Sequence, residues 1–174
     1  VLRQALETGV AVFTPGPRAH ALYANKRNLA LLCDRHALGE LGADERSIDV
    51  LAEGVPHTDI VTGDNADDLW ANRRRLYFKP ASGFGSRGTY KGAKLTRNTW
   101  SSILDGDYIA QELVEPSERV LPGDDTSVTL KLDVRCYVYR GEIQLLGARM
   151  YRGQTTNFRT ASGGLAAVFT APSA

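Results

Sequence analysis

Cysteine and histidine are scarce in this sequence, which has two cysteines and three histidines among its 174 residues. Cys33 and Cys136 both lie among apolar neighbours, so we expect two small buried residues rather than a disulfide. His20, His36 and His57 lack the spacing of metal ligands. The sequence therefore predicts neither a disulfide scaffold, nor a His/Cys metal centre, nor a Cys–His or Ser–His–Asp catalytic site.

Long apolar runs and a large excess of one charge are also missing. No segment is apolar for long enough to span a bilayer, and we expect no signal peptide. The net charge of +1 gives no global attraction to nucleic acid or to membranes, so neither is a predicted partner. At 174 residues and 43% hydrophobic content, the chain can bury a core of single-domain size. A reducing, cytoplasmic setting is the default expectation.

A short apolar run that ends in a lysine and leads into a glycine-rich loop is the most informative pattern present. Residues 76–78 favour a half-buried strand, and Lys79 emerges where this strand ends. The glycines of Gly83–Gly88 can adopt positive φ and bring backbone N–H groups close to an anion. Because a cation beside an amide-rich loop suits a polyphosphate, the pattern predicts nucleotide binding.

The glycine spacing alone also fits other structures. A dinucleotide-binding turn opens directly into a helix, whereas Thr89–Gly92 favours a second strand. A P-loop ends in Gly-Lys-Ser/Thr, which Arg87-Gly88-Thr89 does not supply. A protein kinase places its lysine on a strand after the loop, whereas Lys79 precedes it. The remaining alternative is a surface hairpin with a chance lysine.

Six motifs, in this order along the chain, resemble those of the ATP-grasp superfamily. They are Tyr23–Cys33 with Lys26, Phe78-Lys79-Pro80, the loop Gly83–Gly88, Tyr108–Val114, Asp133-Val134-Arg135, and Arg149 followed by Thr156-Asn157-Phe158-Arg159 and Gly163-Gly164. The resemblance extends from about Tyr23 to about Phe169. It implies an α+β fold in which two subdomains, a lid and a core with antiparallel sheets, enclose a nucleotide cleft.

The same resemblance and the local patterns divide the chain into an N-terminal α/β segment (1–72), a lid-like subdomain (73–118) and a core-sheet subdomain (119–174), which together form an incomplete unit. Helices are predicted at 1–9, 24–34, 44–53 and 96–104. Strands are predicted at 10–13, 60–62, 128–140, 143–151 and 165–169. The order strand, glycine loop, strand, helix, strand is predicted for 76–114, and a surface loop for 116–127.

The resemblance implies that ten residues bind ATP. The lysines would neutralise its phosphates, the glycine loop would cover them, and the strand after Tyr108 would frame the adenine. Glu118 or Glu115 would hold the ribose hydroxyls, although either could be a solvated charge, and Lys26 could be an ordinary exposed helix lysine. The ten residues are Lys26, Lys79, Gly83, Gly85, Ser86, Gly88, Gln111, Glu112, Val114 and Glu118.

Arg135 and Arg149 lie in apolar strand segments, where an unpaired guanidinium is costly. Either they pair structurally with Asp133 or Glu142, or they contact a transferring phosphoryl group or acyl phosphate, as the resemblance implies. Asn157 is the third residue predicted to take part in catalysis, and it could instead cap a turn.

Acidic residues are absent after Glu142, which matters for the metal. ATP-grasp enzymes hold two Mg²⁺ ions through an Asp and a later Glu-x-Asn strand, so the resemblance implies ATP and Mg²⁺ as cofactors without identifying the metal ligands here. The chain is therefore expected to be a fragment, a circular permutation, or a domain that binds nucleotide without turnover. A start without Met, inside a predicted helix, favours a fragment.

The function implied by the resemblance is ATP-dependent ligation. The γ-phosphoryl group of ATP would be transferred to a carboxylate, and an amine or thiol would then displace phosphate from the acyl phosphate. A non-catalytic nucleotide sensor or degenerate interaction domain is the rival hypothesis. RNA binding through Arg73–Arg75 and Lys91–Lys94, with Tyr90 and Trp100 stacking on bases, is favoured least because these aromatics do not alternate regularly with the charges.

Overall fold

The computed structural model describes residues 1–122, 127–153, 157 and 160–170. The chain forms two compact units, Val1–Leu113 and Val114–Ala174, which we call the N-terminal and C-terminal units. Each unit contains one four-stranded antiparallel sheet. With helices and antiparallel sheets in one chain, the predicted α+β class is confirmed.

The N-terminal unit begins with a series of short helices, several of which start at a side-chain cap. Asp34, Asp44 and Thr96 each accept a hydrogen bond from the backbone N–H three residues later, which satisfies one of the free N–H groups of a helix start. The elements are α1 (Leu2–Glu7), α2 (Pro17–Tyr23), α3 (Arg27–Leu32), α4 (Arg35–Glu40), α5 (Glu45–Gly54), β1 (Thr58–Ile60), α6 (Ala66–Asn72), β2 (Leu76–Pro80), β3 (Tyr90–Lys91), α7 (Arg97–Leu104) and β4 (Tyr108–Glu112), with short 3-10 helices at Arg73–Arg75 and Gly92–Lys94.

The sheet of this unit has the strand order β1-β4-β2-β3. Thr58, Gln111 and Tyr77 lie directly opposite one another on β1, β4 and β2. Because side chains alternate between the two faces of a strand, Lys79 shares the face of Tyr77. The register therefore places Lys79, Gln111 and Thr58 on the same face of the sheet.

The opposite face of this sheet packs against helices and forms the core. Phe78 and Ala110 are almost completely buried there, together with Trp100 and Ile103 of α7. The rings of Phe78 and Trp100 meet edge to face, with centroids 5.4 Å apart. Packing on this face therefore anchors β2 and β4 beneath the polar face.

The C-terminal unit contains β5 (Ser117–Leu121), β6 (Val128–Tyr139), β7 (Glu142–Tyr151) and β8 (Gly164–Ala167), in that order across its sheet. Arg140 and Gly141 connect β6 to β7 with φ values of 51° and 80°. Two positive φ values in a two-residue connection match the twist of a tight hairpin. The predicted hairpin at this position is confirmed.

The predicted order of elements over 76–114 is also confirmed, from β2 through the glycine loop, β3 and α7 to β4. The strand predicted at 10–13 is wrong: this segment has no regular structure, and Val10 and Val12 are exposed without a pairing strand. The pattern also misses α2, in which Pro17 occupies the first turn, where a proline is tolerated.

Two further predictions for the C-terminal unit need correction. The loop predicted at 116–127 contains β5 in its described part, because pairing with β6 outweighs the weak local strand preference. Cys136 is exposed rather than buried, as is Arg135. The reason is that β5 pairs only with Val128–Leu132, so later residues of β6 extend beyond that neighbour.

Both cysteines are free, and Cys33 is partly buried. None of the helices in the described segments has both the length and the apolar character needed to cross a membrane.

Candidate phosphate site in the N-terminal unit

Lys79 is held by a chain of hydrogen bonds that crosses three neighbouring strands. Its Nζ donates to Gln111 Oε1 at 2.6 Å. Gln111 Nε2 donates to Thr58 Oγ1 at 2.9 Å, and this hydroxyl donates to the Pro56 carbonyl oxygen at 2.8 Å. Each donor meets an acceptor, so the position of the Lys79 ammonium group is set by β4 and β1 as well as by its own strand.

Lys26, the residue before α3, contacts the glycine loop, which we define as Ser82–Thr89, and also the residue that precedes this loop. Its backbone N–H donates to the Ala81 carbonyl oxygen at 2.8 Å, and its Nζ donates to the Gly83 carbonyl oxygen at 3.0 Å. The next residue, Arg27, forms an ion pair with Asp107, with Nη2 2.6 Å from Oδ1. The start of α3 is thereby tied both to the glycine loop and to the segment that precedes β4.

The glycine loop has a backbone conformation that few side chains tolerate. Gly83, Gly85, Ser86 and Gly88 have φ values of 129°, 66°, 58° and 65°. A Cβ added at Gly88 would lie 3.0 Å from the hydroxyl oxygen of Tyr108, so this position is also crowded. Backbone in the left-handed region can direct successive N–H groups at one anion, as in known phosphate-binding loops.

The electrostatics of the two lysines favour an anionic ligand. Burial lowers the pKa of the half-buried Lys79 ammonium group, and the nearby positive charge of Lys26 lowers this pKa further. Among the described residues, neither lysine forms an ion pair with a carboxylate. Two neighbouring cations without a counter-charge repel each other, and a bound anion would relieve this repulsion.

Two tyrosines lie beside the end of the glycine loop. The rings of Tyr90 and Tyr108 stack with centroids 6.4 Å apart. Burial raises the pKa of the Tyr108 phenol, and Tyr90 raises it further. A phenol with a pKa at or above its usual value of about 10 is uncharged near neutral pH, so Tyr108 adds no negative charge that would repel an anion.

A small hollow adjoins the first residues of the loop. It has a volume of about 140 Å³ and lies between α2 and the loop, with His20 and Asn25 on one side and Ser82 and Phe84 on the other. Phe84 is 82% exposed. Its exposed ring at the loop tip is available for contact with a ligand or another surface.

The residues predicted to frame adenine differ in their surroundings. Gln111 is buried and uses its side chain to hold Lys79 and Thr58. The Glu112 N–H already donates to the His57 carbonyl oxygen at 2.8 Å, so this donor is not available to an adenine ring. Val114 and Glu118 are exposed and belong to the C-terminal unit, where Glu118 lies opposite Lys131 on β6.

The predicted catalytic residues all belong to the C-terminal unit. Arg149 makes a bidentate contact with Asp133, with Nε 2.6 Å and Nη2 3.0 Å from the two carboxylate oxygens. This is the pairing that the structural alternative for Arg149 predicts. Arg135 lies two residues after Asp133 on β6, so the two side chains are on the same face of the sheet, and Arg135 is exposed there.

Asn157 connects parts of its own loop. Its Nδ2 donates to the Arg152 carbonyl oxygen at 2.9 Å, and its Oδ1 accepts from Thr160 Oγ1 at 2.9 Å. Both contacts suit the turn-capping alternative. The neighbouring motif residues Thr156, Phe158 and Arg159 lie outside the described residues.

The sequence did not indicate two residues that shape the candidate site. Thr58 orients Gln111 from 53 residues away, and Arg27 is tied to Asp107 across 80 residues. Neither residue belongs to a local pattern that indicates its partner. Only the strand register and the packing of α3 reveal these contacts.

Three comparisons with known proteins, by family models, curated sequences and solved structures, found no match to this chain.

Proposed function

We propose that the N-terminal unit binds the phosphates of ATP at Lys26, Lys79 and the glycine loop. The observation that carries this proposal is the pair of lysines without a carboxylate partner among the described residues, one of them half-buried with a lowered pKa. A buried ammonium group is stabilised most by a compact multivalent anion. The positive φ values of the loop supply a backbone that can add N–H donors to the same anion.

Each residue would have a separate role in this site. Lys79 would contact phosphate oxygens from a position that Gln111 sets. Lys26 would exchange its bond to the Gly83 carbonyl oxygen for a phosphate oxygen, which would couple loop conformation to phosphate binding. Closure of the exposed loop would then exclude water from the phosphates.

The wider activity we propose is that of an ATP-grasp ligase, on the strength of the six ordered motifs. Such a chain would use ATP to activate a carboxylate as an acyl phosphate for attack by an amine or thiol. Positioning and charge neutralisation are the main demands of phosphoryl transfer, and the lysine site is suited to both. The assignments of Arg135, Arg149 and Asn157 to catalysis stay predictions.

The proposal assigns no ligands to magnesium. The described residues contain no group of three or more His, Cys, Asp or Glu side chains arranged to hold a metal ion. We therefore assign no step of the proposed reaction to Mg²⁺, which stays a prediction from the resemblance.

The proposed site is tested by calorimetric titration of ATP into the wild-type chain, Lys79→Ala and Arg46→Ala, each with and without Mg²⁺. Loss of a charge-assisted contact should weaken binding about tenfold or more in Lys79→Ala. Arg46→Ala is the matched control, because Arg46 is an exposed cation on α5 of the same unit and lies outside the site. Equal affinity of Lys79→Ala and the wild type would refute the phosphate site.

A non-catalytic nucleotide sensor is the second candidate, and the Arg149–Asp133 pair favours it. An arginine held by both oxygens of a carboxylate is already neutralised. Incubation with ATP, varied carboxylates and hydroxylamine, an amine that captures acyl phosphates, separates the two functions. Hydroxamate formation would support the ligase, whereas ATP binding at Lys79 without hydroxamate or ADP would support the sensor.

A further inference from the structure

A second concentration of positive charge lies at the other end of β2. Residues 73–104 contain eight Lys and Arg residues and no Asp or Glu, and six of the eight lie outside Lys79 and the glycine loop. The net charge of +1 for the whole chain therefore conceals a strongly uneven distribution. Uneven charge of this kind produces a local field that net charge does not report.

Packing brings several of these cations together. The 3-10 helices Arg73–Arg75 and Gly92–Lys94 lie against each other. The approach at Gly92 is so close that an added Cβ would lie 1.8 Å from the Arg73 carbonyl oxygen. Only glycine fits at this contact, which places Lys94 beside the three consecutive arginines.

Trp70 on α6 brings a fourth arginine, Arg97, close to Arg73. The guanidinium carbons of Arg73 and Arg97 lie 4.0 Å and 4.1 Å from the centroid of its indole ring. Arg73 Nη1 also donates to the Trp70 carbonyl oxygen at 2.7 Å. Stacking on one ring restricts both guanidinium groups, so less conformational entropy is lost when they bind a ligand.

We call these five residues the basic surface: Arg73, Arg74, Arg75, Lys94 and Arg97. None of the five forms an ion pair with a carboxylate of the described residues. The carboxylates that do not pair with these residues include Asp67 and Asp68 on α6, and Glu112, which lies opposite Leu76. No carboxylate of the described residues therefore neutralises the basic surface by direct contact.

We propose that the basic surface binds the phosphate backbone of nucleic acid without sequence preference. A nucleic acid presents one negative charge per nucleotide at regular spacing, and each phosphate contact releases condensed counterions. An acidic polypeptide also releases counterions, but its flexible carboxylates form exposed ion pairs that contribute little, whereas phosphate oxygens accept the paired hydrogen bonds that a guanidinium group donates. A regular polyanion is therefore the partner that suits a cluster of restrained, unpaired arginines.

This mode of binding differs from the base stacking considered from the sequence. Trp100 is only 5% exposed and packs in the core, so it cannot stack on a base. Trp70 is covered by the guanidinium groups of Arg73 and Arg97. The basic surface therefore offers charge and guanidinium donors rather than a tryptophan stacking platform.

The basic surface is separate from the phosphate site, so the two proposals fail independently. Arg73–Arg75 directly precede Leu76, the first residue of β2, whereas the glycine loop follows Pro80, its last residue. Five residues of strand span roughly 16 Å between the two ends.

The test uses fluorescence anisotropy of a labelled oligouridine of about 20 nucleotides, because uridine stacks weakly and reports mainly backbone contacts. We compare the wild-type chain with the double variant Arg74→Glu/Arg75→Glu. Both side chains are exposed, so charge reversal should leave the fold intact. We expect the double variant to bind at least about tenfold more weakly and to show a shallower dependence of log K on log salt.

The control is Arg18→Glu/Arg46→Glu, which makes the same change in net charge at two exposed arginines elsewhere in the unit. It should bind within about threefold of the wild type, since its charges lie away from the contact. Matching circular dichroism and unfolding midpoints verify that both double variants are folded. The proposal is overturned by absent binding, by equal losses in both variants, or by a poly-glutamate peptide that binds more tightly than oligouridine at the basic surface.

Discussion

Lys79 differs from an ordinary surface lysine because its surroundings disfavour its charge. Burial and the neighbouring Lys26 both lower the pKa of its ammonium group from the usual 10.5. In the unfolded chain this group regains its usual pKa, so between the two pKa values the unfolded state holds more protons than the folded state. The free energy of unfolding should therefore rise with pH in that range.

Lys79→Met removes this charge while keeping an unbranched side chain. We expect its free energy of unfolding near neutral pH to stay within about 1 kcal/mol of the wild type, because removal of a half-buried charge is offset by loss of the hydrogen bond to Gln111 Oε1. The variant should also lose the contribution of Lys79 to the rise of stability toward high pH. Urea unfolding of both proteins from pH 7 to 10.5 measures this difference, and parallel stability curves would contradict the buried-charge interpretation.

At the scale of single elements, helix α7 begins at a capping residue and carries two side chains of the core. Thr96 Oγ1 accepts a hydrogen bond from the Thr99 N–H at 3.2 Å and caps the helix that carries Trp100 and Ile103. Thr96→Ala should lower the free energy of unfolding by about 1 kcal/mol, because a helix N–H loses its acceptor. Thermal or urea unfolding provides the measurement.

Thr96→Ser is the matched control for this substitution, since serine retains the capping oxygen. Its stability should stay close to that of the wild type. If the alanine and serine variants were equally stable, the contribution of the cap to α7 would be negligible.

At the scale of the whole molecule, the N-terminal unit contains both a core and the complete candidate phosphate site. Phe78, Trp100 and Ile103 of that core all lie before Leu113, as do Lys26 and Lys79. A chain of residues 1–113 should therefore unfold in one cooperative transition and bind ATP in a Lys79-dependent way. Calorimetry on this chain and on its Lys79→Ala variant tests both points.

Two results would contradict the expectation that residues 1–113 fold and bind ATP without the rest of the chain. One is a non-cooperative transition, which would show that the core needs residues after Leu113. The other is ATP binding that is equal in the fragment and its Lys79→Ala variant, which would show that the fragment binds ATP elsewhere.

Short-range patterns in the sequence were sufficient to predict part of this fold. The strand, glycine loop, strand, helix and strand over 76–114 follow from apolar runs, glycines and the Thr96 cap. The hairpin at Arg140-Gly141 follows from its turn residues. These features depend on residues a few positions apart, so the sequence alone determines them.

The candidate site was predicted only in part. Lys26, Lys79 and the glycine loop were identified from their motifs, and the structure brings them together. The positioning of Lys79 by Gln111 and Thr58 was not predicted, because it depends on the register of three strands. A shift of one residue would move these side chains to the other face, and no local pattern in the sequence specifies that register.

Burial, and the choice between the alternative charge partners that the sequence offered, were decided by tertiary structure. Cys136 and Arg135 lie in an apolar segment, yet they are exposed because β5 ends its pairing at Leu132. Arg149 meets Asp133 through the β6–β7 register. The sequence determined which residues carry charge and where the chain can turn, whereas long-range packing decided which charges are paired, because those partners come from distant parts of the chain.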